Sequence, residues 1–358
     1  MSKKLQETIN EVLKGQVEHQ DIKSVTDYLS TGSLLLDLAI SNRKDGGIPV
    51  GRITEIFGWQ GTGKSLLAYH IIRSTQQKGG FCIYIDTERS ADKEFMERMG
   101  VNTKDQTKFL YPKPPSSIEG VFELIETMIK AVHKMGNPKD RIVTVVWDSV
   151  AASPAKETLE EDYGEGRLGA DSRAMSSCFR RAIEMLDLGY ITLVCINQKR
   201  TKIGSNKYDT ETTGHGRALA FYASTRIDIK AVGKMTEGSK KFGRTVGINT
   251  RAIVDKSKMG PPKRNVEFPI MFDWGIDDEA SWLEYLKDVK VVITSGSWSK
   301  IDLGDDKEYK FQGVKGFKKQ LALPGVYDRL RSIIEDSMVI TYEKKESFVE
   351  DAITKGKE

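Results

Sequence analysis

No apolar run in this sequence approaches the roughly 20 residues that a membrane-spanning helix needs. The first residues, Met1-Ser-Lys-Lys-Leu-Gln-Glu7, carry no apolar signal core. The expected compartment is therefore cytoplasmic, with no membrane partner. Cysteine is scarce: Cys82, Cys178 and Cys195 are odd in number and lack metal-ligand spacing. Cys82 and Cys195 fall inside apolar strand runs, which predicts buried thiols rather than disulfides or metal ligands. Charge of one sign is also scarce. A net charge of +4 is too small to establish a nucleic-acid partner, so the placement of basic residues matters more than their sum. What is present, 39% hydrophobic and 30% charged residues over 358 positions, describes a soluble globular chain of roughly two domains.

The stretch Gly58-Trp-Gln-Gly-Thr-Gly-Lys64-Ser65 fits G-x-x-x-x-G-K-[ST] without a gap. A strand-like run, Arg52–Phe57, precedes it and a helix-like run, Leu66–Gln76, follows, which is the context the motif needs. Gly58, Gly61 and Gly63 let the backbone curl so that successive N–H groups, Thr62 included, face phosphate oxygens. The helix start adds its positive dipole end. Lys64 would reach the β- and γ-phosphates of ATP, and the Ser65 hydroxyl would bind Mg²⁺.

Strands and helices alternate from there to about residue 200. The strands Ile53–Phe57, Phe81–Ile85, Ile142–Trp147 and Tyr190–Ile196 are continuous and rich in Ile and Val, as for strands buried on both faces of a parallel sheet. Helices are predicted over 65–77, 92–99, 117–135 and 170–187. The pattern is doubly wound α/β, with ligands at the carboxyl ends of the strands. Ser33 is placed to cap an apolar helix. From residue 222 the texture becomes antiparallel, with 233–247 predicted as a hairpin tip. A small mixed module is expected at 276–341, with Trp282 and Trp298 in its core, and a frayed tail at 342–358. A weak amphipathic stripe, Leu5, Ile9, Val12 and Leu13, predicts a helix within 1–28 for docking on this domain or a neighbouring subunit.

Three strands end in groups that suit phosphate chemistry. The run Ile142-Val-Thr-Val-Val-Trp-Asp148-Ser149 places a carboxylate behind a metal at Ser65. The run Phe81-Cys-Ile-Tyr-Ile-Asp-Thr-Glu88 offers Glu88 as the base that orients and deprotonates the attacking water. The run ending Asn197-Gln198 puts an amide at the same rim, where it can sense a γ-phosphate and switch the segment after it. In the helix near 170–187, Arg173, Ser176, Ser177 and Arg180 share a face that suits a phosphate backbone. Loops at about 160–169 and 199–217, both carrying basic residues, project from one edge of the sheet.

Taken together the chain resembles the RecA-type DNA strand-exchange recombinases across residues 25–335. The resemblance rests on Ser30-Thr-Gly-Ser-Leu-Leu-Leu-Asp37, Gly58–Ser65, Ile85-Asp-Thr-Glu88, Asp148-Ser-Val-Ala-Ala152, Ile196-Asn-Gln198, Arg200-Thr-Lys-Ile-Gly204, Glu211-Thr-Thr213, Ala218–Arg226 and Lys256-Ser-Lys258. It implies a RecA-like P-loop ATPase core at 29–275, with a mostly parallel central sheet and helices on both faces. A short N-terminal helical arm and a small α+β C-terminal domain would complete it. It implies helical filaments on single-stranded DNA, homologous pairing with duplex DNA and strand exchange. ATP and Mg²⁺ would be the cofactors, DNA-dependent hydrolysis would accompany the cycle, and single-strand-binding and loader proteins would be further partners. By resemblance Phe95 stacks on adenine and Asp92 contacts it. Gln198 reports the γ-phosphate to the second DNA loop. Lys256 and Lys258 reach the ATP of the adjacent subunit, and Phe221 packs into that subunit. DNA contacts fall on Leu168, Arg173, Ser176, Arg180, Arg200, Thr201, Ile203, Gly204, Gly216 and Arg217. Ala220 and His215 depart from the family's lysine and glycine, and the family's acidic tail is missing, as in a phage-type or specialised member. The competing readings are a ring motor on the same fold and a non-catalytic filament regulator.

Overall fold

The computed structural model describes residues 24–134, 142–160, 169–188, 191–201, 211–214, 218–238, 242–305 and 307–341. Strands are numbered in chain order: β1 Tyr28–Leu29, β2 Ile48–Pro49, β3 Ile53–Gly58, β4 Phe81–Asp86, β5 Phe109–Leu110, β6 Val143–Asp148, β7 Ile191–Thr201, β8 Glu211–Thr213, β9 Thr225–Glu237, β10 Arg244–Ser257, β11 Asn265–Met271, β12 Gly275–Ile276, β13 Val292–Ser295, β14 Trp298–Ile301 and β15 Tyr309–Phe311. The central sheet has the order β12-β11-β10-β9-β3-β7-β6-β4-β5, with β8 paired to β7. From β9 through β5 the neighbours are parallel, and the β9–β12 side is antiparallel.

The Ile/Val-rich strands are central because both of their faces are covered. Side chains alternate between two apolar clusters, as the two-residue period of a strand requires. Cys82, Tyr84, Val146, Val194 and Ile196 join the cluster of the Lys64–Gln77 helix. Ile83, Ile85, Val145, Trp147, Leu193 and Cys195 join that of the Ile118–Lys134 and Ala170–Leu188 helices. The mostly parallel, two-sided α/β sheet expected from the alternation is present.

Three expectations are corrected. The segment 233–247, expected as a hairpin tip, carries the ends of two paired strands, since β9 runs to Glu237 and β10 starts at Arg244. The ladder there is backbone pairing, which the Gly and Lys content concealed. The start of the second loop is likewise a ladder, with Lys199–Thr201 of β7 antiparallel to Glu211–Thr213 of β8. Trp282 is buried, but Trp298 is exposed. Its partner across the β13–β14 turn is Ser295, so both stand on the uncovered face of the three-stranded sheet. The predicted helix within 1–28 falls largely on, and the tail at 342–358 wholly on, residues outside those described.

The C-terminal elements do not build a separate core. Trp282, Leu286, Phe317, Leu330 and Ile334 continue the cluster that holds Leu36 and Ile56. Asn42 ties the two ends together, donating to Ile340 O at 2.9 Å and accepting from Ile340 N at 2.8 Å. Ser33 caps the Leu34–Ser41 helix through Leu36 N, as its position predicts.

Candidate nucleotide and nucleic-acid site

Four strand ends converge at one rim of the sheet. Gly58 of β3 is in register with Gln198 of β7, and Asp86 of β4 with Asp148 of β6. The loop leaving Gly58 turns through Gly61 and Gly63 at φ 71° and 97°, the left-handed region that glycine enters at little cost. A Cβ on Gly63 would lie 2.5 Å from the Ile270 side chain, so β11 packs directly on this loop. Gly63 also begins the Lys64–Gln77 helix with no side-chain cap, which leaves the first-turn N–H groups for an anion. Lys64 Nζ donates to Trp59 O at 2.7 Å, and Thr62 Oγ1 to the same carbonyl at 2.9 Å. Burial lowers the Lys64 pKa, while Asp148 and Glu88 pull it back up.

Asp148 is the centre of the rim. Its Oδ2 accepts from Ser65 Oγ at 2.7 Å and from Tyr84 OH at 2.6 Å. Burial raises its pKa, and these two hydroxyls oppose the rise. Beside it, Asp86 Oδ2 accepts from Ala91 N at 2.9 Å and Tyr111 OH at 2.8 Å. Asp86 Oδ1 is buried without a partner among the described residues. Hard oxygen donors from Ser65 and Asp148, with an orphaned carboxylate oxygen beside them, fit Mg²⁺, which keeps waters and takes few protein ligands.

Glu88 stands above this pair. Its Oε1 accepts from Ser149 Oγ and from Gln198 Nε2, the latter at 2.5 Å. Glu88, Gln198 and Ser149 therefore form one hydrogen-bonded group. Phe95 packs edge-on against Tyr69, 6.0 Å between centroids, and Arg98 lies 5.5 Å over its ring. Asp92 caps the helix carrying Phe95, its Oδ1 accepting from Phe95 N at 2.8 Å. Arg98 also lines a groove of about 690 Å³ with Val246, Met271, Phe272 and Asp273. Two residues after Ile270, Phe272 is a half-exposed ring in that groove that pattern reading missed. The signal was its place past the end of β11. Tyr84 and Ser149 were missed too, although Tyr84 shares a strand face with Asp86 and Ser149 follows Asp148.

β7 continues past Gln198, so Arg200 and Thr201 stand exposed on the stem of the hairpin that begins at this rim. Arg200 Nη2 donates to Ala151 O at 3.4 Å. In the Ala170–Leu188 helix, Met175, Phe179 and Ala182 are buried, whereas Arg173 and Arg180 are exposed. Ser176 Oγ donates to Ser172 O at 2.8 Å, and Arg173 lies 3.6 Å from Glu157. Leu168, Ile203, Gly204, Gly216 and Arg217 lie outside the described residues.

Lys256, Lys258 and Phe221 are not brought to this rim. Ser224 N donates to Ile53 O, at the opposite end of β3, and Lys258 N donates to Ser224 O. Five strand steps, about 17 Å, separate Ile53 from Gly58. Lys256 Nζ donates to Ala220 O at 3.0 Å and Phe221 O at 2.9 Å, holding the last carbonyls of the Ala218–Tyr222 helix. Burial, Lys258 and Arg226 lower its pKa. Phe221 is 74% exposed, so it is not a core residue.

The model for the RecA N-terminal domain matches residues 5–277. A protein from Campylobacter jejuni subsp. doylei, named Protein RecA, is 35% identical over 318 residues, covering 88% of this chain and 85% of that protein. Proteins of the same name from Wolinella succinogenes and Helicobacter pylori are 38% and 39% identical, covering 78% and 76% of this chain and 75% and 73% of their own. Among the described residues no helix is long and apolar enough to cross a membrane.

Proposed function

The chain belongs to the RecA family of recombination proteins, and from that footing we propose how its own residues carry out ATP-dependent strand exchange on single-stranded DNA. One observation carries the proposal. Glu88 is bonded to Gln198, and Gln198 sits on the strand that continues without a break into the Arg200–Thr201 hairpin. A change at the γ-phosphate end of the rim is thereby handed to a surface element over about three residues of rigid strand.

The roles follow from position. The loop 58–65 cradles the triphosphate with its N–H groups and Lys64. Ser65 and Asp148 would hold Mg²⁺, which would supply positive charge against the phosphates. Glu88, kept in place by Ser149, orients the attacking water and takes its proton. Gln198 turns its amide to the γ-phosphate and gives up Glu88. Phe95, with Arg98 over its ring, and Phe272, in the groove that Arg98 lines, seat the base. Arg173, Ser176, Arg180, Arg200 and Thr201 take the phosphates of a DNA strand. This leaves base edges free, so that a homologous duplex is tested by pairing.

Self-assembly follows from the far edge. Lys256 is tied about one sheet-length from its own phosphate loop, so the phosphates it can meet belong to another copy. Such a head-to-tail contact between unlike surfaces propagates as a helix unless the rotation closes. The test is electron microscopy of the protein with single-stranded DNA, Mg²⁺ and a slowly hydrolysed ATP analogue. Helical filaments that require the nucleotide are expected. Closed rings, or dispersed molecules under every nucleotide, would overturn the proposal.

A further inference from the structure

We infer that Tyr84 is a positioning residue of the nucleotide–metal site, holding the Asp148 carboxylate for the metal through its phenol. The inference rests on the assignment of Ser65 and Asp148 to Mg²⁺ and deepens it. Tyr84 is buried at 1% exposure, in a strand position two residues before Asp86 and in register with Val146. The two-residue period turns it to the same face as Asp86 and Asp148. Its OH donates to Asp148 Oδ2 at 2.6 Å, the same oxygen that takes the Ser65 hydroxyl at 2.7 Å.

Two ring contacts aim the phenol before any ligand arrives. The Tyr84 ring is stacked with Tyr111 at 6.2 Å and 18°, and lies 5.7 Å from Tyr69 of the phosphate-loop helix. Tyr111 is itself anchored, donating to Asp86 Oδ2. A ring clamped on two sides has few rotamers to lose, so its hydroxyl arrives in one place. Both donors fall on Oδ2, and neither falls on Oδ1 of the same carboxylate. When Ser65 oxygen turns to a cation, Tyr84 is the donor that continues to hold Asp148 in orientation. A buried carboxylate with its donors removed is both disordered in direction and costly to keep charged. A valine or isoleucine would satisfy the strand at position 84, and only a phenol there reaches the acid.

The experiment compares wild type, Tyr84→Phe and Ser65→Ala by binding of a fluorescent ADP analogue, in EDTA and across a Mg²⁺ titration. Bound Mn²⁺ is counted in parallel by electron paramagnetic resonance, and melting temperature is recorded. Tyr84→Phe keeps both ring contacts and loses the phenol oxygen, and with it the bond to Asp148 and the hydroxyl interaction with Tyr69. Its metal-free nucleotide affinity should match wild type, while the Mg²⁺ and Mn²⁺ concentrations at half-saturation rise about tenfold, as for loss of a group that orients a metal ligand. Half-saturation within about twofold of wild type, or affinity that falls equally in EDTA, would overturn the inference. If Ser65→Ala loses its metal response but Tyr84→Phe does not, the Tyr84 role alone fails. If wild type shows no metal-dependent nucleotide binding, the site assignment fails beneath it.

Discussion

Glu88 accepts two donors on one oxygen, from Ser149 and Gln198, and the consequences are set at the scale of single side chains. A carboxylate gripped this way through Oε1 is fixed in direction, with Oε2 turned away from both donors. Lys64 answers the same logic from the other side. Its ammonium is largely buried and satisfied by the Trp59 carbonyl, so the loop is shaped around the charge before a phosphate comes. Replacing it leaves that cradle without its cation. Lys64→Ala should cost about 2–3 kcal/mol of nucleotide binding, roughly 30- to 150-fold in affinity, measured with a fluorescent ADP analogue. Affinity near wild type would remove Lys64 from the site. Residue chemistry of this kind was legible where the motif was dense, at 58–65 and at Asp148. Tyr84 was not, since a tyrosine in a β-strand is ordinary and its partner lies 64 positions away.

At the scale of elements, β7 and its neighbours decide what the rim can talk to. Asn197 donates to Glu55 at 2.9 Å, Glu55 accepts from Arg226 at 2.6 Å, and Arg226 donates to Asp255 at 2.6 Å. The chain of charges crosses β7, β3, β9 and β10 and ends one residue before Lys256. Each charge is paired, as a buried ion must be. The Ala170–Leu188 helix works differently, by a plain division of faces. Its apolar side is sealed against Phe122 and Trp147, with Phe179 and Phe122 edge-on at 5.0 Å, and its guanidiniums are left outside. Arg173→Ala with Arg180→Ala should therefore weaken single-stranded DNA binding and reduce the salt slope by about 1.4, at roughly 0.7 for each phosphate that is no longer neutralised. Nucleotide binding should persist. An unchanged slope in a salt titration would take this face off the DNA path. That division was readable from helical spacing, whereas the β7–β8 ladder was not, because its pairing joins residues across a loop.

Across the whole molecule, the C-terminal elements are fastened to the core by a joint that carries buried acids. Burial pushes both Asp37 and Asp278 up to about 7, each further raised by charge repulsion that includes, for Asp37, Asp278 itself. The folded protein thus keeps protons that an unfolded carboxylate, near pKa 3.9, has already released. The stability this contributes is fully present below about pH 4 and is lost as pH rises through about 7. Denaturant midpoints at pH 5.5 and 8 should therefore differ less in Asp278→Asn than in wild type; an equal or larger difference would contradict the assignment. At the same scale, the phosphate loop and Lys256 occupy opposite ends of one sheet.

The sequence by itself determined the phosphate loop, the strand-end acids and the parallel α/β core, because these depend on neighbours in the chain and on a two- or 3.6-residue period. By pattern alone Phe221 reads as core and the two lysines as solvated charge, and family likeness alone gave them other roles. Tertiary structure decided that Phe221 stands exposed, that Trp298 faces outward, that 233–237 pairs with 244–249 and that Tyr84 meets Asp148. Burial and hydrogen bonding are properties of what folds alongside a residue, and those partners come from elsewhere in the chain.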